Sequence, residues 1–216
     1  MAERPLVLIG PPGAGKTSVA DDMAERTGRP RLEIDAGWVA RLRAQPAIAA
    51  VEPTALVGPD GDVPSSRRRA YLTAMRERLT AAHGEAAAAR ALEQAKARAV
   101  IDMVEETGDD ALVDFGAGHS IYEHLDVRAA VKAALGRAQV VLLLPCADPA
   151  AAVAILAARL AAQGRPLAEA RLAGYVGHPS NLALADATLH GEGRTIAELG
   201  AQLVALAAGL RASGRT

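Results

Sequence analysis

The feature that most constrains this chain is a glycine-rich segment near its start. Residues 10–17 read Gly-Pro-Pro-Gly-Ala-Gly-Lys-Thr and satisfy the pattern G-x-x-x-x-G-K-[ST] at every fixed position. The apolar run before it, Pro5–Ile9, predicts a strand, and the amphipathic run Lys16–Thr27, closed by Gly28, predicts a helix. The sequence therefore predicts a phosphate-binding loop (P-loop) between a strand and a helix.

The residue types of this loop define the chemistry expected of it. Glycines let backbone N–H groups converge on phosphate oxygens, and the helix behind the loop presents its positive end. Lys16 is predicted to act in catalysis by bridging the β- and γ-phosphates of ATP, and Thr17 to bind Mg²⁺. The predicted nucleotide-binding residues are Gly10, Pro11, Pro12, Gly13, Ala14, Gly15, Lys16, Thr17 and Ser18.

The rest of the chain alternates between strand-like and helix-like segments. Strands are predicted at 5–9, 32–34, 111–114, 139–144 and 187–189, and helices at 16–27, 67–83, 85–107, 121–135, 149–162 and 195–210. Residues 45–66 are rich in proline and glycine and are predicted to form a loop or lid. The alternation predicts an α/β fold of three layers, with a parallel sheet of about five strands in one domain, 1–216.

Charge and cysteine content exclude several classes of partner. The 24 basic and 25 acidic residues give a formal charge of −1, which leaves no global field for nucleic acid or a membrane surface. The single cysteine, Cys146, rules out an internal disulfide, and the N-terminus shows no signal pattern. We expect a cytoplasmic monomer or homodimer that acts on a small molecule.

Candidate polar residues follow the predicted strands. In P-loop enzymes an acid at the end of the strand that carries Asp114 binds Mg²⁺ directly or through water, so Thr17 and Asp114 are the predicted metal ligands; a capping carboxylate is the alternative for Asp114. Asp35 closes the second strand at the sheet edge that carries the P-loop, where it can accept a proton or hydrogen bond from a substrate hydroxyl. The alternative for Asp35 is a helix cap.

Motifs beyond the P-loop narrow the class. The guanine-reading pattern N-K-x-D is absent, and neither a strand ending in paired acids nor an arginine finger is evident. The chain instead resembles the shikimate kinase family at four places. These are Leu32-Glu33-Ile34-Asp35 for a D-x-D motif, Gly84-Glu85 with Arg90-Ala-Leu-Glu93 for G-E and R-x-x-E, Gly116-Ala117-Gly118 for a glycine triplet, and Gln163-Gly164-Arg165-Pro166-Leu167 for the R-P-L after a lid.

The resemblance implies an ATP- and Mg²⁺-dependent kinase that phosphorylates a hydroxyl of a small carboxylated or cyclic polyol. It implies an ATP lid at about 159–178 whose arginine, Arg159 or Arg165, contacts the transferred phosphoryl group. It places Pro179, within His178–Asn181, against the nucleotide base. The implied acceptor-binding residues are Glu33, Asp35, Arg90, Gly116, Ala117, Gly118 and His119.

Three departures from the family pattern leave the acceptor open. The substrate-binding region, about 36–107, holds an insertion at 45–69, the glycine triplet has an alanine at its centre, and His119 follows it. An exposed ion pair with Glu93 is the alternative for Arg90. The run Arg67-Arg68-Arg69 is either an anion clamp beside the insertion or, as is more common for a charge run, a solvated helix start. A nucleoside or nucleotide kinase and an ATP-binding sensor with little turnover are the alternative functions.

Overall fold

A computed structural model describes residues 4–34 and 37–213. Over this part of the chain a single sheet of five strands runs in the order β2-β3-β1-β4-β5, and every neighbouring pair is parallel. The strands are β1 (Leu6–Ile9), β2 (Arg31–Glu33), β3 (Leu112–Asp114), β4 (Gln139–Leu144) and β5 (Ala187–His190). The predicted parallel sheet is confirmed, with β1 at its centre.

Helices connect the strands and cover both faces of the sheet. They are α1 (Lys16–Thr27), α2 (Trp38–Arg43), α3 (Pro46–Ala49), α4 (Arg68–His83), α5 (Glu85–Glu105), α6 (Leu125–Leu135), α7 (Pro149–Ala162), α8 (Glu169–Val176), α9 (Pro179–Leu184) and α10 (Ile196–Ser213). Short 3₁₀ helices lie at Thr54–Leu56, Ser65–Arg67 and Ala117–Ser120. No helix in the described ranges is long and apolar enough to cross a membrane.

Alternating residues of the central strand feed two separate cores. Leu6 and Leu8 pack with residues of α1, α7, α8 and α10. Val7 and Ile9 pack on the opposite face with residues of α5, α6 and α9. Successive strand side chains point to opposite faces, so a run that is apolar at every position must be covered on both sides. This arrangement confirms the three-layer prediction.

The segment between α2 and α4 holds more regular structure than the loop or lid predicted at 45–66. It contains α3 and two 3₁₀ helices, and Ile48 and Val63 are buried in a third core that also includes Tyr71 and Met75. Proline favours the first turn of a helix, and Pro46 begins α3 in this way. The prolines therefore delimit short packed turns, and the insertion is a small helical unit with its own core.

Helix α6 begins four residues later than predicted. The backbone N–H groups of Glu123 and His124 donate to the carboxylate of Glu93 on α5. His124 has an extended conformation at the start of α6. Because the Glu93 carboxylate accepts these hydrogen bonds, Glu123 and His124 do not need a helical turn to satisfy their N–H groups, and α6 begins after them.

Candidate active site

The P-loop connects β1 to α1 in the conformation that its glycines allow. Gly10 has a φ of +142°, and a Cβ at this position would lie 2.4 Å from the carbonyl oxygen of Leu143 on β4. Gly15 has a φ of +93° and caps α1. Any other residue would be strained at these angles. Ser18 lies in the first turn of α1.

Lys16 is held by the loop that it follows. Its side chain is 8% exposed, and Nζ donates to the carbonyl oxygens of Gly10 (3.0 Å) and Pro11 (3.1 Å). A buried ammonium requires such oxygen partners. Phosphate oxygens placed in the loop would be stronger acceptors for the same donors.

Thr17 and Asp114 meet at the carboxyl ends of the central strands. Parallel pairing sets Asp114 beside Leu8 of β1, and the Thr17 hydroxyl donates to Asp114 Oδ2 over 2.6 Å. A hydroxyl and a carboxylate are the hard oxygen donors that Mg²⁺ takes in P-loop sites, with phosphates and water completing its shell. No group of three or more His, Cys, Asp or Glu side chains that could hold a metal ion by themselves exists among the described residues. The pair fits Mg²⁺ bound together with nucleotide.

The second strand ends beside this pair. Glu33 of β2 stands opposite Asp114 of β3, and its carboxylate is ion-paired with Arg31. Asp35 lies outside the described residues. The acceptor roles assigned to Glu33 and Asp35 remain predictions.

The segment predicted to form the ATP lid, about 159–178, begins near the P-loop at the end of α7. Arg159 Nη1 lies 3.5 Å from the carbonyl oxygen of Gly13, and a Cβ on Gly13 would lie 3.1 Å from Leu160 Cγ. Arg165 lies beyond the end of α7 and lines a cleft of about 730 Å³ that also includes Pro12 of the P-loop. Both predicted lid arginines therefore lie close to the P-loop, and which one contacts phosphate remains a prediction.

Three arginines from separate parts of the chain line this cleft. Arg69 comes from α4, Arg165 from the segment between α7 and α8, and Arg171 from α8. Ala117, the central residue of the predicted glycine triplet, also lines this cleft. A guanidinium can hold a carboxylate or phosphate through two parallel hydrogen bonds. The cleft is therefore suited to anionic groups beside the P-loop.

A second cleft, of about 440 Å³, adjoins the first and shares Arg171 and Tyr175 with it. Lys96 and Gly118 are among the residues that line this second cleft. The Lys96 ammonium lies 4.5 Å from the centre of the Tyr122 ring, and it donates to the carbonyl oxygens of Gly118 and Ile121. Burial lowers the pKa of Lys96 to about 8. Lys96 therefore connects α5 to the loop that follows β3.

Arg90 lies at the surface and is not among the residues that line the two clefts, so its role as an acceptor anchor remains a prediction. Its side chain is 44% exposed and pairs with Asp126 on α6 over 2.6 Å. The alternative to the acceptor role was an ion pair with Glu93, three positions further along the helix, but Glu93 instead binds the backbone at the start of α6. Arg90 therefore joins two helices at the surface.

His119 is buried and lies against α2. Its ring makes an edge-to-face contact with Trp38 of α2, with the ring centres 4.8 Å apart. Burial, together with the charge of Lys96, lowers the pKa of His119 to about 3. The imidazole is therefore neutral at physiological pH. It packs α2 against the loop after β3, and its contact with an acceptor remains a prediction.

The segment His178–Asn181 lies against the loop after β3. Asn181 accepts a hydrogen bond from Ser120 Oγ and donates to the Tyr175 carbonyl oxygen, while His178 faces Glu123. These contacts give the nucleotide-base role of Pro179 no support. A residue after β5, Ile196, lies close to the P-loop, since its Cδ1 is 3.9 Å from the position of a Cβ on Gly15. The nucleotide-base role of Pro179 remains a prediction.

Comparison with known proteins supports this fold. A family model described as the ATPase family associated with various cellular activities (AAA) matches residues 6–106, less than half of the chain, and ends before β3. No curated protein matches the sequence. A shikimate kinase from Acinetobacter baumannii, solved in complex with shikimate, aligns with a TM-score of 0.57 at 19% identity, covering 96% of this chain and 94% of that one. A shikimate kinase from Bacteroides thetaiotaomicron aligns with a TM-score of 0.53 at 13% identity, covering 94% and 97%.

The chain has a shikimate-kinase-like P-loop fold. Identity this low establishes the architecture and leaves the activity to the site itself. Two candidate residues of this fold escaped the sequence analysis, Lys96 and Arg171. Arg171 lies four positions after the R-P-L segment and four before Tyr175. This spacing places Arg171 and Tyr175 on the same face of a helix and was the signal that could have identified Arg171. Lys96 carried no motif, because its contacts with Gly118 and Ile121 cross more than twenty residues.

Proposed function

We propose that this protein transfers the γ-phosphoryl group of ATP to a hydroxyl of a small anionic metabolite. The observation that carries the proposal is the arginine-lined cleft, which lies between the P-loop and the lid. A P-loop alone would equally suit a motor or a sensor. A closable polar cleft beside it is the feature that an acceptor requires.

The ATP side of the reaction rests on Lys16 and the lid. Lys16 would exchange its two carbonyl partners for the β- and γ-phosphate oxygens, and a lid arginine would neutralise charge that develops on the transferred group. Thr17 and Asp114 would hold Mg²⁺, which when bound supplies further positive charge to the phosphates. All of these side chains lie at one edge of the sheet, where open α/β folds place their ligands.

The acceptor side rests on Arg171 and Lys96. Arg171 lines both clefts, and the larger cleft also includes Pro12 of the P-loop. An acceptor whose anionic group binds Arg171 could therefore extend through the larger cleft toward the P-loop. Lys96 is fixed by two carbonyls and offers its remaining hydrogen-bonding capacity to the same region. We propose that these two cations hold the acceptor anion, the role that the sequence analysis gave to Arg90. A carboxylated or cyclic polyol fits this arrangement, and Asp35 stays the proposed base for its hydroxyl.

A screen for acceptor-stimulated ADP release tests the proposal. Hydroxy acids, sugars, cyclitols and nucleosides would be offered with MgATP to the wild-type protein and to Arg171→Ala. A matched control is Arg128→Ala, on α6 and outside both clefts. We expect an anionic acceptor whose KM rises roughly tenfold or more in Arg171→Ala and is unchanged in the control.

Two outcomes would contradict the proposal. A nucleoside as the preferred acceptor would favour the nucleoside kinase alternative. ATP binding without stimulation by any acceptor class would favour a sensor with little turnover.

A further inference from the structure

A cationic side chain lies directly beside the proposed metal-binding pair. Arg31 begins β2, and its Nη2 lies 3.5 Å from Asp114 Oδ2, the oxygen that also accepts the Thr17 hydroxyl. Its Nη1 lies 3.1 Å from Asp21 Oδ1 on α1, and the same guanidinium is paired with Glu33. Arg31 therefore joins three carboxylates at the carboxyl edge of the sheet.

The neighbouring acids make this position unusual. Parallel register sets Glu33 beside Asp114, and Asp21 lies one helical turn after Thr17 on α1. Without the guanidinium, the negative charge of Asp114 would not be offset, and the charges of Glu33 and Asp21 nearby would add to its attraction for a divalent cation. Arg31 is only 20% exposed, so water screens its charge incompletely.

The geometry points to Arg31 as a positioning residue that offsets the charge of Asp114, so that Mg²⁺ binds together with nucleotide phosphates and only weakly alone. This inference rests on the proposed function, because it concerns the same metal site. Unit charges this close interact strongly even at an effective dielectric constant of about 20. Nucleotide phosphates would supply the negative charge that Arg31 cancels.

Metal binding without nucleotide tests the inference. Mn²⁺ would be titrated into the nucleotide-free protein, with free Mn²⁺ measured by electron paramagnetic resonance. We expect Arg31→Met to bind Mn²⁺ at least about tenfold more tightly than wild type, and Arg31→Lys, which keeps the charge, to stay within about threefold of wild type. The control Arg98→Met removes an arginine paired with Asp102 on α5 and should leave Mn²⁺ binding unchanged.

A second variant acts in the opposite direction and does not disturb a partly buried residue. Asp21 is 60% exposed, and Asp21→Asn leaves the charge of Arg31 less offset, so Mn²⁺ binding should weaken by about threefold or more. Because Asp21 also contributes negative charge of its own, Arg31→Gln, which removes the positive charge and keeps a polar side chain, decides the question if Arg31→Met does not fold, and it should bind Mn²⁺ more tightly than Arg31→Lys.

Unchanged or weaker Mn²⁺ binding in Arg31→Met would overturn the inference, as would tighter binding in Asp21→Asn. Equal tightening in Arg31→Met and Arg31→Lys would also overturn it, because geometry and not charge would then be responsible. Binding of ADP with Mg²⁺ to the wild-type protein is measured separately. Its absence would count against the proposed function, while the Mn²⁺ titrations would still report on Arg31.

Discussion

Replacing Lys96 with methionine removes a buried charge and keeps most of the apolar volume. Burial lowers the pKa of Lys96 from 10.5 to about 8. Each pH unit between these values corresponds to 1.36 kcal/mol, so the protonated form costs the folded state roughly 3 kcal/mol. The hydrogen bonds to Gly118 and Ile121 reduce that cost and are lost in the variant.

The sign of the pH dependence follows from proton binding. The unfolded chain keeps the Lys96 proton up to about pH 10.5, whereas the folded chain releases it near pH 8. The cost of the charge is therefore complete below about pH 8 and is relieved as the pH rises through this window. Relative to Lys96→Met, the wild-type free energy of unfolding should rise by up to roughly 3 kcal/mol between pH 7 and about pH 10.5.

Urea denaturation of both proteins at several pH values measures this difference, in which the titration of all other groups cancels. Lys132→Met is a matched control, because Lys132 is 42% exposed and pairs with Asp186. A difference between wild type and Lys96→Met that stays constant with pH would refute the argument from burial. In the same variant, the acceptor KM should rise while ATP affinity stays unchanged.

Two further substitutions test Gly10 of the P-loop and the surface position of Arg90. Gly10→Ala should lower the free energy of unfolding by roughly 3 kcal/mol or more, since its Cβ would meet the Leu143 carbonyl oxygen; a loss below about 0.5 kcal/mol in urea denaturation would contradict the close approach. Arg90→Ala should leave the acceptor KM within about twofold of wild type and cost at most about 1 kcal/mol, because its ion pair with Asp126 is exposed. A tenfold rise in the acceptor KM of Arg90→Ala would instead show that Arg90 helps to bind the acceptor.

Features encoded locally were the ones that the sequence predicted well. The P-loop lies between β1 and α1 because an apolar run, a set of glycines and an amphipathic run follow each other directly. The bounds of β4 and α7 agree with their predictions for the same reason, since Pro149 marks the first turn of α7. Each of these signals depends on residues close together in the chain.

Features that depend on distant contacts were missed. The partner of Arg90 is Asp126, across 36 positions, although local spacing favoured Glu93. The insertion looked like a loop because its prolines break every period, yet Ile48 and Val63 are buried against residues of α4. Lys96 could not be recognised because its burial arises only when α5 packs against the loop after β3. Periodicity within one segment carries no information about such packing.

The most direct test of the central claim is the fate of the γ-phosphoryl group. With MgATP and an acceptor from the screen, phosphorus NMR should show a phosphate ester formed in equal amount to ADP. Lys16→Ala should slow ester formation by at least about a hundredfold while keeping the fold, because it removes a preorganised charge from the transferring group. Inorganic phosphate as the only product, or near-normal ester formation in Lys16→Ala, would contradict the account.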